Sequence, residues 1–344
     1  MAGKIQKSRR ATIIDVAREA NVSYSTVSRV VNNLDHVKAD KRERVLAAME
    51  RLGYIANQQA RSLKGAPTNV IGLLVHDLGD AYIVEILRGI DDEISAAGYD
   101  LMLFTTHRQK AKESGYVQTL TQGMIDGLLL SLPLDPSSYL DMLHQEQFPY
   151  VVLDHHGFDD FSPTVTATNW QGSFDATNYL LDLGHTRIGF IMGAPDLSSA
   201  LERLQGYKDA LSQRGIAFDV EIVAPGHFHR GEGYQAVRNL LALDEPPTAI
   251  FAANDMSAFG AMDACREAGL SIPQDMSIVG FDDVPTAATT YPPLTTVRQP
   301  IYDMGRMATR LLIASIENPA RPSERLVVDT ELIIRQSCQP PKKA

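Results

Sequence analysis

The apolar positions fall into two regimes. In the first 66 residues they recur at helical spacing within short segments. Val16, Ala17 and Ala20 form the buried face of a first helix that Thr12 opens as N-cap, with Asp15 in the capping-box position. Ala20-Asn21-Val22 reads as a tight turn, because Asn tolerates a left-handed backbone. Ser23 can cap a second helix in which Val27, Val30 and Val31 make an apolar stripe. Tyr24, Ser25, Ser28 and Arg29 lie on its other side. A third helix is expected from about Ala39 to Leu52, with Val45, Ala48, Met49 and Leu52 on one face and Gly53 ending it. Two short helices joined by such a turn are a helix-turn-helix, and three can close a minimal core. Asn57 could cap one more short helix over Gln58–Lys64, which is too short to be stable alone and folds only against something.

From residue 70 the pattern changes. Fully apolar runs at Val70–Val75, Leu101–Thr105, Gly127–Ser131 and Tyr150–Leu153 alternate with helical stretches at Tyr82–Ala97, Tyr116–Gln122 and Tyr139–Glu146. After Thr164–Thr168 and a helix over about Gly172–Leu183 the alternation restarts. Strands are expected at Ile188–Met192, Glu221–Ala224, Ala249–Ala253 and Ser277–Phe281. The helices between them are Leu201–Arg214, Gly233–Leu241 and Met256–Ala268. An extended linker Thr289–Pro300, a helix Tyr302–Ile316 and two short strands near Arg325–Val328 and Glu331–Arg335 complete the chain. Repeated βα units predict parallel sheets with helices on both faces. Two such units in succession place a cleft between them, beyond the carboxyl ends of the strands. The polar residues at those ends, Asp77, Ser131, Asp154, Asn254 and Asp282, are the candidate ligand groups.

Charge divides the chain at the same place. Residues 1–66 hold 13 of the 32 Lys and Arg and 6 of the 42 Asp and Glu, a net of +7, against −17 for the remainder. A basic head on an acidic body is the footprint of a nucleic-acid-binding module joined to something else, and the body should repel DNA. The outer face of the second helix then suits base edges and phosphates, although the same pattern would serve as a solvated helix face. No apolar run approaches the roughly 18–20 residues of a membrane span, and the basic N-terminus lacks the apolar region of a secretory signal. Cys265 and Cys338 are far apart and form no metal spacing, which fits a reducing cytoplasm. No GxGxxG follows Val70–Val75, so a dinucleotide is not expected; Gly-rich phosphate loops are absent too, and no cofactor is assigned. His155-His156 and His227/His229 lack further ligands at metal spacing. Asp282-Asp283 are neighbours in a strand tail and point opposite ways, which argues against paired catalytic carboxylates; no catalytic residue is assigned.

Four segments together carry a resemblance. Thr12–Ala17, Val22–Asn32, Leu52–Asn57 and Ala60–Leu63, in that order, resemble the DNA-binding head of the LacI family of bacterial repressors. The resemblance implies that Thr12, Ser23, Tyr24, Ser25, Thr26, Ser28, Arg29 and Asn32 meet DNA, with Tyr24, Ser25 and Arg29 facing the major groove. Asn57–Lys64 would be a hinge helix ordered on the operator, using Asn57, Ala60, Arg61 and Lys64, with Leu63 as the wedge in a minor-groove step. Ser25 stands where lactose-type repressors carry a longer amide, so base preference there should differ.

The body is similar to the family's periplasmic-binding-protein-like core through Gly184–Gly189, Glu202–Tyr207, Ala253–Asp255, Val279–Asp283 and Pro293–Val297. The implied fold is a helix-turn-helix headpiece with hinge helix (α), followed by a core of two doubly wound α/β subdomains. Its expected parts are 1–56 for the head, 57–67 for the hinge and linker, 68–168 with 299–321, and 169–298 with 322–344. Arg203, Asn254, Asp282 and Asp154 match positions that hold hydroxyls in sugar-responsive members. Tyr82 or Phe228 could stack a sugar face, and Trp170 begins a helix at a crossover beside the cleft. Leu197 stands where the purine-responsive branch carries an Arg, which favours a sugar. After Arg335 there is no room for the heptad helix of tetrameric relatives, so a homodimer on palindromic operator DNA is expected, with no membrane partner. The function implied is a cytoplasmic repressor of carbohydrate genes released by a sugar. Its rivals are control by a protein corepressor, a transport binding protein, and a carbohydrate enzyme.

Overall fold

The computed structural model describes residues 11–31, 37–54, 67–79, 81–155 and 161–342. The chain forms two compact units, Met1–Thr68 and Asn69–Ala344.

The first unit holds helices α1 (Ile13–Glu19), α2 (Tyr24–Val31) and α3 (Ala39–Leu52). The capping box forms: the Thr12 backbone N–H donates to Asp15 Oδ2 at 2.9 Å, and Asp15 N–H donates to Thr12 Oγ1 at 3.3 Å. Asn21 adopts φ 50° in the turn, and Thr26 N–H donates to Ser23 Oγ at 3.2 Å. Val16, Ala17, Ala20, Val27, Val30, Val45 and Ala48 close the core. Leu52 departs from the expected buried face and is 36% exposed, because it lies in the last turn before Gly53 takes φ 58°.

The second unit contains two six-stranded sheets. The first comprises β1 (Val70–Val75), β2 (Asp100–Thr105), β3 (Gly127–Ser131), β4 (Tyr150–Leu153), β5 (Thr164–Ala167) and β11 (Arg325–Val328), in the order β11-β5-β4-β3-β1-β2. Its helices are α4 (Ala81–Ala97), α5 (Lys110–Leu120), α6 (Leu140–Gln145) and α11 (Ile301–Glu317). The second comprises β6 (Ile188–Met192), β7 (Val223–Pro225), β8 (Ala249–Ala252), β9 (Ser277–Asp282), β10 (Thr295–Arg298) and β12 (Glu331–Ile333), in the order β12-β10-β9-β8-β6-β7. Helices α7 (Asn169–Asp182), α8 (Ser198–Gln213), α9 (Arg230–Leu241) and α10 (Asp255–Glu267) cover it. The pairings are parallel except β10 with β12. Central strands β1, β3, β4, β8 and β9 are buried along their whole length, as sheets covered on both faces require.

The chain passes between these two lobes at Thr168, at Gln299–Pro300 and at Asp329–Thr330. One expected boundary is corrected here. Residues 322–344 do not all join the second lobe, because β11 pairs in parallel with β5 (Arg325 opposite Thr164) and belongs to the first sheet. The first and last crossovers are bonded together: Thr330 N–H donates to Thr168 Oγ1 at 2.9 Å. Helix α5 begins at Lys110, earlier than its weak apolar pattern indicated. Strand β7 starts at Val223, after a single helical turn over Val220–Ile222 whose first N–H groups include one held by the Asp219 carboxylate.

Candidate functional site

In the head, Tyr24, Ser25 and Arg29 are exposed on α2, and Ser28 and Thr26 are half-buried beside them. The stripe behind them is committed to the core, so this face is the one α2 offers outward. The Thr12 hydroxyl is engaged in its cap, donating to Asp15 Oδ2 at 2.7 Å. Asn32, Asn57, Ala60, Arg61, Leu63 and Lys64 lie outside the described residues.

Six of the cleft candidates meet in one place. Tyr82 and Asp154 from the first lobe and Arg203, Phe228, Asn254 and Asp282 from the second line a narrow cleft with about 20 Å³ of free space. Each follows or faces the carboxyl end of a strand, as the doubly wound topology dictates. Leu132 and Ser199 complete the lining. Ser199 was missed by the sequence reading, although it lies one helical turn before Arg203 on α8 and so on the same face.

Arg203 is buried, with its guanidinium 3.8 Å over the Phe281 ring centroid and 5.6 Å from that of Phe228. Its Nε donates to Asn169 Oδ1 at 2.9 Å, and its Nη1 to the Ala253 carbonyl at 2.6 Å and Asp282 Oδ1 at 3.4 Å. Asp154, at φ 51°, accepts from Asn169 Nδ2 at 3.3 Å. Asp282 accepts from Gln299 Nε2 at 2.7 Å. Its φ of 114° is costly for an L residue, and the following turn is held firmly. Asp255 accepts from Val284 N–H at 2.9 Å and from the Thr296 hydroxyl at 2.5 Å. Burial, followed by the charge of Asp282, pushes the Asp255 carboxyl well above the usual range. Asp283 points the other way and accepts from Arg298 and Arg335 at 2.8 and 2.6 Å.

Asn254 combines two roles. Its Oδ1 caps α10 by accepting from Ser257 N–H at 2.9 Å, and its Nδ2 donates to the Phe228 carbonyl at 3.1 Å. Phe228 takes φ 68°, and its ring lies over Gly193, where a Cβ would come within 2.2 Å of it. Glu202 is half-buried beside Asp154, and burial and that neighbouring charge raise its carboxyl to about 7.

Three candidates are elsewhere. Ser131 ends β3 and lies against Thr106 and Glu113 rather than in the cleft, whereas Leu132, beyond the strand at φ 50°, reaches it. Trp170 is 38% exposed, stacked on Phe174 at 5.0 Å and donating to Asp209 at 2.8 Å. Asn169 takes the inward position at the start of that helix and turns Trp170 outward. Asp77 accepts from Gly79 N–H at 2.5 Å and shapes its own turn. Among the described residues no group of three or more His, Cys, Asp and Glu could hold a metal ion, and no helix is long and apolar enough to cross a membrane.

The arrangement is a two-sided polar cleft with aromatic walls, joined in sequence to a basic helix-turn-helix. Comparison with known proteins agrees in both parts. Residues 12–57 match the bacterial regulatory proteins of the lacI family, and residues 177–338 match a periplasmic binding protein-like domain. The transcriptional repressor CytR of Escherichia coli K12 is 37% identical over 95% of this chain and 96% of its own. The ribose operon repressor of Haemophilus influenzae is 36% identical over 95% and 98%. Among solved structures, the regulator CelR in complex with cellobiose is 32% identical, with a TM-score of 0.72 over 95% of this chain and 100% of that one. The Lac repressor dimer bound to operator and the anti-inducer ONPF is 29% identical, with a TM-score of 0.82 over 96% and 100%.

Proposed function

The chain belongs to the LacI family of bacterial regulatory proteins, and from that membership we propose that it is a sugar-responsive transcriptional repressor acting on palindromic operator DNA as a homodimer in the cytoplasm. The observation that carries the sugar reading is the cleft. Asp154 on one lobe faces Arg203 and Asp282 on the other, so a polyhydroxylated ring can give hydrogens to carboxylates on both sides while accepting from a fixed guanidinium. Tyr82 and Phe228 supply faces for its C–H surface. Leu197 is buried in the apolar cluster that also contains Tyr82 and Leu132, which gives a charged or purine ligand no donor there. The relatives are regulators rather than enzymes.

The mechanism follows from where the cleft sits. A sugar touching both lobes binds one relation between them better than the other, and it shifts the population by that difference. In a dimer joined along the core the shift changes the spacing of the two heads and the pairing of the hinge segments, and operator affinity falls. Tyr24, Ser25 and Arg29 would choose the half-site, with Leu63 wedged in the minor groove between half-sites. A thermal-shift screen of the whole chain against mono- and disaccharides, ribose and cellobiose included, tests the cleft: a ligand of the native state must raise the melting temperature. A panel that leaves it unchanged removes the sugar.

A further inference from the structure

We infer that the Asn169 carboxamide couples the ligand-facing groups of the two lobes, as a positioning residue that sets the Arg203 guanidinium against Asp154 across the cleft. This rests on the sugar reading of that cleft.

Asn169 is the first residue of α7, directly after the Thr168 crossover that is tied to Thr330. From it a single chain of hydrogen bonds spans the lobes. Asn169 Nδ2 donates to Asp154 Oδ1, and Arg203 Nε donates to Asn169 Oδ1. Arg203 Nη1 then donates to Asp282 Oδ1, which also receives Gln299 Nε2 from a second crossover. All five side chains are buried. The lobes are therefore linked by a path from Asp154 through Asn169, Arg203 and Asp282 to Gln299, which passes one crossover, ends at another and includes the ligand groups.

Chemistry suits the residue type. A carboxamide donates to the Asp154 carboxylate and accepts from the guanidinium at once, while its Nδ2 also reaches the Ala167 carbonyl at 3.3 Å and the Glu202 carboxylate. A carboxylate in its place would face Asp154 and Glu202, while an apolar group would leave Arg203 Nε without its acceptor. The backbone is arranged to permit the contact. Gly206 on α8 lies so near α7 that a Cβ would come within 2.3 Å of the Trp170 carbonyl, and this approach brings Arg203 to Asn169. A ligand that takes hydrogen bonds from Arg203 or gives them to Asp154 competes with Asn169 for both, so its binding is transmitted to the crossover.

The experiment uses the full chain with whichever of D-ribose, D-glucose and cellobiose shifts the wild-type melting temperature most. Operator affinity is measured with and without that sugar at saturation, which removes the effect of weaker sugar binding. The wild type is expected to change affinity by about 5- to 150-fold, and Asn169→Ala by less than about 2-fold. Asn169→Asp keeps the shape and the acceptor for Arg203 but sets a carboxylate among Asp154, Glu202 and Arg203, with Asp282 behind. Its ratio should be small at pH 8 and rise toward that of the wild type at pH 5.5, where the introduced carboxyl can donate. A structural role alone would lower the melting temperature and leave the ratio unchanged. Full wild-type ratios in both variants overturn the inference alone, and in the Asp variant alone do so where the Ala variant does not fold. Silence of all three sugars on the wild type overturns the sugar reading and this inference with it.

Discussion

The Arg203 guanidinium carbon lies over the Phe281 ring, 3.8 Å from its centroid, in the wall of the cleft. The ring contact and the bonds of Nε and Nη1 to Asn169 and Ala253 together orient the fork. Lysine has neither the plane nor the fork. Arg203→Lys should therefore weaken sugar binding by about 10- to 100-fold, the worth of one or two charged hydrogen bonds, as measured by calorimetry. An unchanged affinity would remove Arg203 from the site.

Asp282 is held at φ 114° by Gln299 and Arg203 and by the turn that Asp255 fixes. Asp282→Ala should abolish the sugar response, seen as operator binding that no longer changes when sugar is added. A normal response in gel shift would exclude this carboxylate from ligand contact.

Glu202 has a carboxyl raised to about 7 in the fold, against an ordinary value near 4.5. The native state then holds its proton more tightly than the unfolded chain, so this residue favours the fold at low pH. That contribution is lost as pH rises from about 4.5 through about 7. Relative to the wild type, Glu202→Gln should gain melting temperature at pH 8 over pH 5. Parallel curves for the two proteins would show that Glu202 is not perturbed.

Gly206 inverts the usual helix rule. In an exposed helix Gly→Ala gains about 1 kcal/mol. Here the new Cβ would meet the Trp170 carbonyl at 2.3 Å and the Phe174 nitrogen at 2.9 Å. Gly206→Ala should instead destabilise by about 1–3 kcal/mol, read from chemical denaturation, because α7 and α8 must move apart. A stabilised variant would contradict the packing described.

Much of this was legible because it is local. The Thr12–Asp15 box, the αL turn at Asn21 and the Val27–Val30 stripe each lie within four residues, and all three form. Asp154, Asn254 and Asp282 could be named because strand ends in a doubly wound fold converge, whereas Arg203, Tyr82 and Phe228 rest on the family resemblance. Ser131 and Trp170 each lie one position from the residue that turns inward. The pattern marks where a strand ends or a helix starts, but the backbone at that end decides which neighbour turns in: Leu132, at φ 50°, and Asn169 do. Asn169 was not legible at all, since its partners lie 15 and 34 residues away and no periodicity links them. Strand β11 was misplaced for the same reason: its partner β5 lies in a distant part of the chain.

In the reading proposed above, a sugar in the cleft controls the DNA-binding head. The decisive measurement is the operator affinity of the whole chain, on a selected palindromic site at fixed salt, with and without the sugar that raises its melting temperature. Affinity should fall by about 5- to 150-fold on adding the sugar. An affinity that stays the same while the sugar is demonstrably bound would rule that control out.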